Sequence, residues 1–175
     1  EHAGNMKRPI PGSSLANDPN NPMAFEGPPE FTKKKDALEA IFDNMIREDM
    51  YPRIMEMVAG GTAIMDITQG LLMEGFRQGK WNPDLLLMLA EPTAYMTMAL
   101  AERAGIDYII DREGEVDPDE SVEVEDPDSA LEQKFQTIRK NLEDKPDKSN
   151  ILPQEIEERI EEMPQEESLV QRASD

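Results

Sequence analysis

The side chains able to do chemistry in this chain are almost all carboxylates. The 175 residues include 38 Asp and Glu, a single histidine at position 2, and no cysteine. A Ser–His–Asp triad or a Cys–His pair is therefore excluded from any folded core. No thiolate metal site and no disulfide framework can form. Carboxylates such as Asp66 and Glu74, which stand in the apolar middle of the chain, could at most transfer protons. In a chain this acidic, however, a carboxylate pair carries little information. The run Asp117-Pro118-Asp119-Glu120-Ser121-Val122-Glu123 alternates oxygen ligands but lacks the central glycine of a helix–loop–helix calcium site. Gly60-Gly61-Thr62 precedes a helical pattern, as anion sites do, but without the lysine and spacing of a phosphate loop. It reads as a helix break. No catalytic residue, no cofactor site and no metal site are expected, and the chain reads as non-enzymatic.

Charge narrows the partners. The net charge is −20, and phosphate binding relies on Lys and Arg, so nucleic acid and anionic membrane surfaces are poor partners. The charge is uneven: residues 1–105 carry a net −5 and residues 106–175 a net −15. Apolar residues follow the opposite trend and concentrate between Phe31 and Ile110. A core of roughly 75–80 residues is small for independent stability, so burial against a partner or a second copy is expected.

The elements that must position these residues follow from periodicity. Residues 1–30 read as an extended arm. Pro9, Pro11, Pro19, Pro22, Pro28 and Pro29 remove backbone donors and fix φ. Its isolated apolar residues, Ile10, Leu15, Met23 and Phe25, are candidate anchors on a neighbouring subunit. Met6-Lys7-Arg8 reads like a start sequence, with His2 ahead of it. No apolar signal segment is visible.

Residues 31–110 read as a helical core of about four helices. The first runs from near Thr32 towards Arg47 on the stripe Ala37, Leu38, Ile41, Phe42, Met45 and Ile46. Lys33, Lys34 and Lys35 occupy its first turn, the wrong end for the helix dipole. They read as a solvated turn or a contact for an acidic surface. A second helix follows Pro52 and ends at Gly60-Gly61. Thr62 is the expected cap of a third, which runs to about Gln78. In it, Gly70 and Gly75 suggest close helix approach and Gly79 a C-terminal stop. Asn82-Pro83-Asp84 is a strong start signal for a buried central helix, which Pro92 should kink or split. The run is interrupted by Glu91, Pro92, Thr93 and Thr97, so it does not read as the ~20-residue apolar span of a membrane helix. Nine methionines between Met45 and Met98 read as core or as an adaptable binding surface. Tyr108-Ile109-Ile110 reads as an edge strand or a plug.

Residues 111–175 read as an acidic linker and tail with two weak amphipathic helices. The first carries Leu131, Phe135, Ile138 and Leu142 on one stripe, and the second Ile156 and Ile160. Such stripes suit docking in a partner's groove or transient helices. Fast amide exchange is expected across 111–175 and the slowest exchange at 85–100. The fold class is thus mainly α: a small helical domain with an extended N-terminal arm and an acidic, partly helical C-terminal tail.

The residues Met6-Lys7-Arg8-Pro9-Ile10-Pro11-Gly12-Ser13-Ser14-Leu15, Pro28-Pro29-Glu30-Phe31, Ile67 to Gly75 and Lys80 to Pro92 resemble small structural proteins of large tailed bacteriophages, including T4-like phages of marine bacteria. The resemblance covers about residues 6–110. It implies a virion or capsid-assembly component whose partners are other virion or assembly-intermediate proteins, in a homo- or hetero-oligomer. It places the protein in the host cytoplasm during assembly and then in the virion. It carries no functional residues over. The alternative is an acidic adaptor or inhibitor that binds a basic host or phage protein.

Overall fold

A computed structural model describes residues 20, 22–112, 131, 133–139 and 151–165. The chain is mainly helical, and no strand occurs among the described residues. In order, the helices are α1 (Lys34–Met45), α2 (Tyr51–Ala59), α3 (Ile64–Arg77) and α4 (Pro83–Arg103), then α5 (residues 133–139) and α6 (Gln154–Glu162).

The central element is α4. Asn82 caps it by accepting the Leu85 N–H at 2.8 Å, and Pro83 opens its first turn, as the start signal predicts. Its 21 residues span about 31 Å at 1.5 Å per residue. Leu86, Leu89, Ala90, Ala94, Met96, Leu100 and Ala101 are fully enclosed. Pro92 neither ends nor splits the helix. Its missing N–H leaves the Met88 carbonyl without a helical donor, and Met88 is exposed, so water can serve that carbonyl. Helices α1 and α3 pack along α4, α2 packs on α3, and α6 on α4.

Three stops share one chemistry. After α2, α3 and α4, the left-handed residues are Gly61, Gly79 and Gly105. Each closes a Schellman pair; after α3, Gly79 N–H donates to Phe76 O and Lys80 N–H to Gly75 O, both at 2.9 Å. The pairing satisfies carbonyls that a helix end leaves open.

The start of α3 differs from expectation. Ala63, not Thr62, is the N-cap, and no side chain caps it. Instead Ile64 N–H donates to Ile109 O at 2.9 Å and Met65 N–H to Ile110 O at 3.0 Å. The segment after α4 is therefore not a strand, while Tyr108 and Ile110 pack against the core. The segment's carbonyls meet the free donors of a helix 45 residues earlier in the chain, a cap that no local pattern encodes.

Parts of the acidic region join the core. Leu131, Phe135, Ile156 and Ile160 are buried in the same apolar cluster as α1, α3 and α4. Helices α5 and α6 are thus additions to the core. The expected exchange pattern sharpens accordingly: α6 and α5 should be protected, though less than 85–100, where the enclosed α4 side chains sit. Exchange at 154–162 as fast as in an unfolded peptide, measured by mass spectrometry, would contradict this packing.

Candidate functional site

The arm joins the core at a built junction. Residues 24–26 form a single 3-10 turn, with Met23 N–H donating to Glu26 Oε2 at 2.7 Å. Phe25 stacks on Phe76 of α3, with ring centroids 5.2 Å apart and planes 26° from parallel. Glu30 N–H donates to Gly79 O at 3.1 Å and Phe31 N–H to Lys80 O at 2.7 Å. The stop of α3 therefore has two functions: its glycine ends the helix, and its outer carbonyls hold the arm. Any side chain at Gly79 would overlap the Ala24 backbone.

Among the expected anchors, Phe25 rests on the chain's own α3 and Met23 is more than half exposed. Ile10 and Leu15 lie outside the described residues.

The other expected contact stripe is occupied. Leu131 and Phe135 are buried and Ile138 is packed against the core; Leu142 lies outside the described residues. The groove that receives these residues belongs to the chain itself. A short stripe of Leu, Phe and Ile buries wherever an apolar groove is within reach, and the nearest is intramolecular.

What the sequence reading missed is the polar lock on α5. Arg139, buried in the fold, donates to Asp66 Oδ1 at 2.8 Å, Gln69 Oε1 at 2.8 Å and Asp111 Oδ1 at 2.7 Å. Its guanidinium also lies 5.8 Å from the centre of the Phe135 ring. Arg112 completes the cluster, with Nε 3.0 Å from Asp66 Oδ2. Arg139 Nε is buried without a partner, so the guanidinium is not fully satisfied. Asp66 is committed to two arginines, and Glu74 to Gln78 and Arg77 at an exposed face. The best carboxylate candidates for proton transfer are thus held in separate structural pairs.

Helix α6 is clamped from two sides. Lys35 of the first-turn lysines pairs with Glu155 at 3.1 Å, each raising or lowering the other's pKa towards the charged form. The acidic surface opposite the lysines is therefore the chain's own. Arg159 donates to Asp43 at 2.8 Å and sits 4.7 Å over the Phe42 ring. From α4, Arg103 donates to the carbonyls of Met163 and Glu161 at 2.8 and 2.7 Å. It supplies the positive charge that the C-terminal end of a helix favours. Between α4 and α6 lies an open cleft of about 490 Å³, floored by Met98, Ala99, Leu152 and Ile160.

Tyr108 folds back on the end of α4. It donates to Glu102 Oε1 at 2.7 Å. Burial first, then the neighbouring carboxylate, pushes its phenol up to about 12. Because the folded value lies above the unfolded one, its stabilising contribution is complete below pH 10 and is lost between pH 10 and 12. The urea midpoint of the wild type should therefore exceed that of Tyr108→Phe at pH 9, and the gap should be narrower at pH 11 and close only towards pH 12. An unchanged gap would mean that the phenol is not protected.

Among the described residues no group of His, Asp and Glu is arranged to hold a metal ion, and no helix is long and apolar enough to cross a membrane. No protein-family model matches the chain, and neither a curated protein nor a solved structure matches it.

Proposed function

We propose that the protein is a non-enzymatic structural or assembly component of a tailed-bacteriophage particle, attached to neighbouring subunits through its N-terminal arm. The observation that carries this reading is the arm junction. Residues 22–31 are bonded and stacked onto the end of α3, so whatever the arm engages is tied to the rigid core. An arm rooted in this way transmits a contact to the domain, which a freely jointed leader does not. The resemblance over residues 6–110 points the same way, as does a side-chain inventory that allows no Ser–His–Asp triad and no Cys–His pair in the core. The protein would work in the host cytoplasm during assembly and remain in the virion.

Mass spectrometry of purified particles and assembly intermediates of the encoding phage tests this. Recovery of the wild type, and loss of a deletion of residues 6–21 that retains the wild-type melting temperature, is the expected result. Absence of the wild type from both fractions would overturn the reading.

The acidic-adaptor alternative draws on α6, where Glu157, Glu158, Glu161 and Glu162 are exposed within the segment of net charge −15. It requires a basic soluble partner whose association weakens with salt. Recovery with such a partner, and not in particles, would favour it.

A further inference from the structure

A second cavity, of about 290 Å³, opens between α1 and α3 beside the arm junction. Its walls include Ile41, Met50, Leu71 and the Trp81 indole, with Arg47 and Lys80 at its edge. Volume places it at the small end of ligand sites, which run from roughly 300 to 1,000 Å³. Its polar groups are mostly spent. Arg47 is bonded to both oxygens of Asp49 and to Asn44 Oδ1. Gln78 donates to Glu74, which also pairs with Arg77. Lys80 is different: its ammonium has no hydrogen bond or ion pair among the described residues. The Lys80 backbone is fixed on both sides, its N–H to Gly75 O and its carbonyl to Phe31 N–H. An unpaired cation is thus held on a fixed backbone beside a cavity with apolar walls on one side and the paired groups of Arg47, Glu74 and Gln78 on the other, in a chain whose net charge is −20.

We propose that this cavity binds a carboxylate on a short apolar stem, with Lys80 pairing the carboxylate and Ile41, Met50, Leu71 and Trp81 enclosing the stem. An unpaired ammonium favours an anion over a neutral isostere, because charge-assisted hydrogen bonds are roughly twice as strong as neutral ones. The cavity has room for a stem of about five carbons, and a ligand of that size binds weakly, on the order of millimolar. The chain's overall negative charge opposes any anion at long range, but at 0.15 M salt that repulsion fades beyond about 8 Å, while the contact with Lys80 does not. Two sources share this chemistry: a free carboxylic acid, and the C-terminal leucine of a peptide.

Trp81 is the chain's one tryptophan, so its emission reports directly on the site. The full-length protein would be titrated at 0.15 M salt with 4-methylpentanoate, with 4-methylpentanamide, and with an acetylated tripeptide ending in leucine. The expected result is a saturable change with the carboxylates, and about tenfold weaker binding of the amide. Lys80→Met should bind acid and amide alike, whereas Lys80→Arg should keep the preference; unchanged circular dichroism establishes that both fold. Tighter binding of the tripeptide assigns the site to a peptide terminus, and tighter binding of 4-methylpentanoate to a free acid. No saturable response to either carboxylate, equal binding of acid and amide by the wild type, or a preference that survives in Lys80→Met would overturn the proposal.

Discussion

Replacing Arg139 by alanine is expected to speed amide exchange in residues 133–139 about a hundredfold while leaving the slowest amides of α4 nearly unchanged. The Arg139 side chain is only 7% exposed and faces Asp66 and Asp111, themselves 25% and 15% exposed. Removing one partner of a buried pair costs about 3–5 kcal/mol, because the remaining charge stays desolvated. Here the cost belongs at about 3 kcal/mol, since Asp66 keeps Arg112 and Arg139 itself leaves Nε unsatisfied. At 1.4 kcal/mol per factor of ten, that is two decades in the opening equilibrium of α5. Leu131 and Phe135 remain apolar and keep α5 attached most of the time. Asp66→Ala should do less, because Arg139 retains Asp111 and Gln69. Hydrogen exchange read by mass spectrometry checks both variants. Equal protection of 133–139 in wild type and Arg139→Ala would show that apolar packing alone docks this helix.

Two glycines of α3 should respond to alanine with opposite signs. Gly75→Ala is expected to lower stability by about 2 kcal/mol, and Gly70→Ala to raise it by about 1 kcal/mol. Alanine at either site gains about 1 kcal/mol of helix propensity. At Gly70 a methyl group meets open space, so the gain stands. At Gly75 it would overlap the six-membered ring of Trp81. That ring cannot withdraw: it is 4% exposed, and its Nε1 donates to Leu72 O at 3.0 Å. Overpacking of this kind costs about 1–3 kcal/mol, here the upper end, and outweighs the propensity gain. Urea unfolding followed by Trp81 emission measures both. A stabilised Gly75→Ala would mean that the indole can move.

The same pair of residues shows where sequence reading stops. Both glycines suggested close helix approach, because a helix tolerates an internal glycine only for a reason. Gly75 has one, a tryptophan six residues later folded back on it. Gly70 faces solvent and has none in the described structure. Helix periodicity is a property of neighbours three and four residues apart, so α1 and α3 were legible from their stripes, and α4 from its start signal and a run that is apolar on all sides. The Asn82-Pro83 start and the stop at Gly79 were legible too, since caps are local chemistry. The N-terminus of α3 was not, because its donors are met by Ile109 and Ile110 rather than by Thr62. In the candidate site, Met23 and Phe25 were legible as isolated apolar residues among prolines. Their partner Phe76 was not.

Composition by itself determined the class of side chains available: carboxylates in excess, one histidine near the start, no thiol, and hence no Ser–His–Asp triad or Cys–His pair in the core. Periodicity and caps determined that the middle of the chain is helical and centred on the helix after Asn82. Only the tertiary structure decided what the acidic region does with its two apolar stripes. Their burial is set by distance to the core, where both join the apolar cluster of α1, α3 and α4. Only the tertiary structure, likewise, turned Asp66 from a candidate proton carrier into the shared partner of Arg112 and Arg139. An ion pair between residues 73 positions apart leaves no trace in local spacing. It follows from a fold that brings the two helices together and leaves a buried guanidinium in need of oxygen.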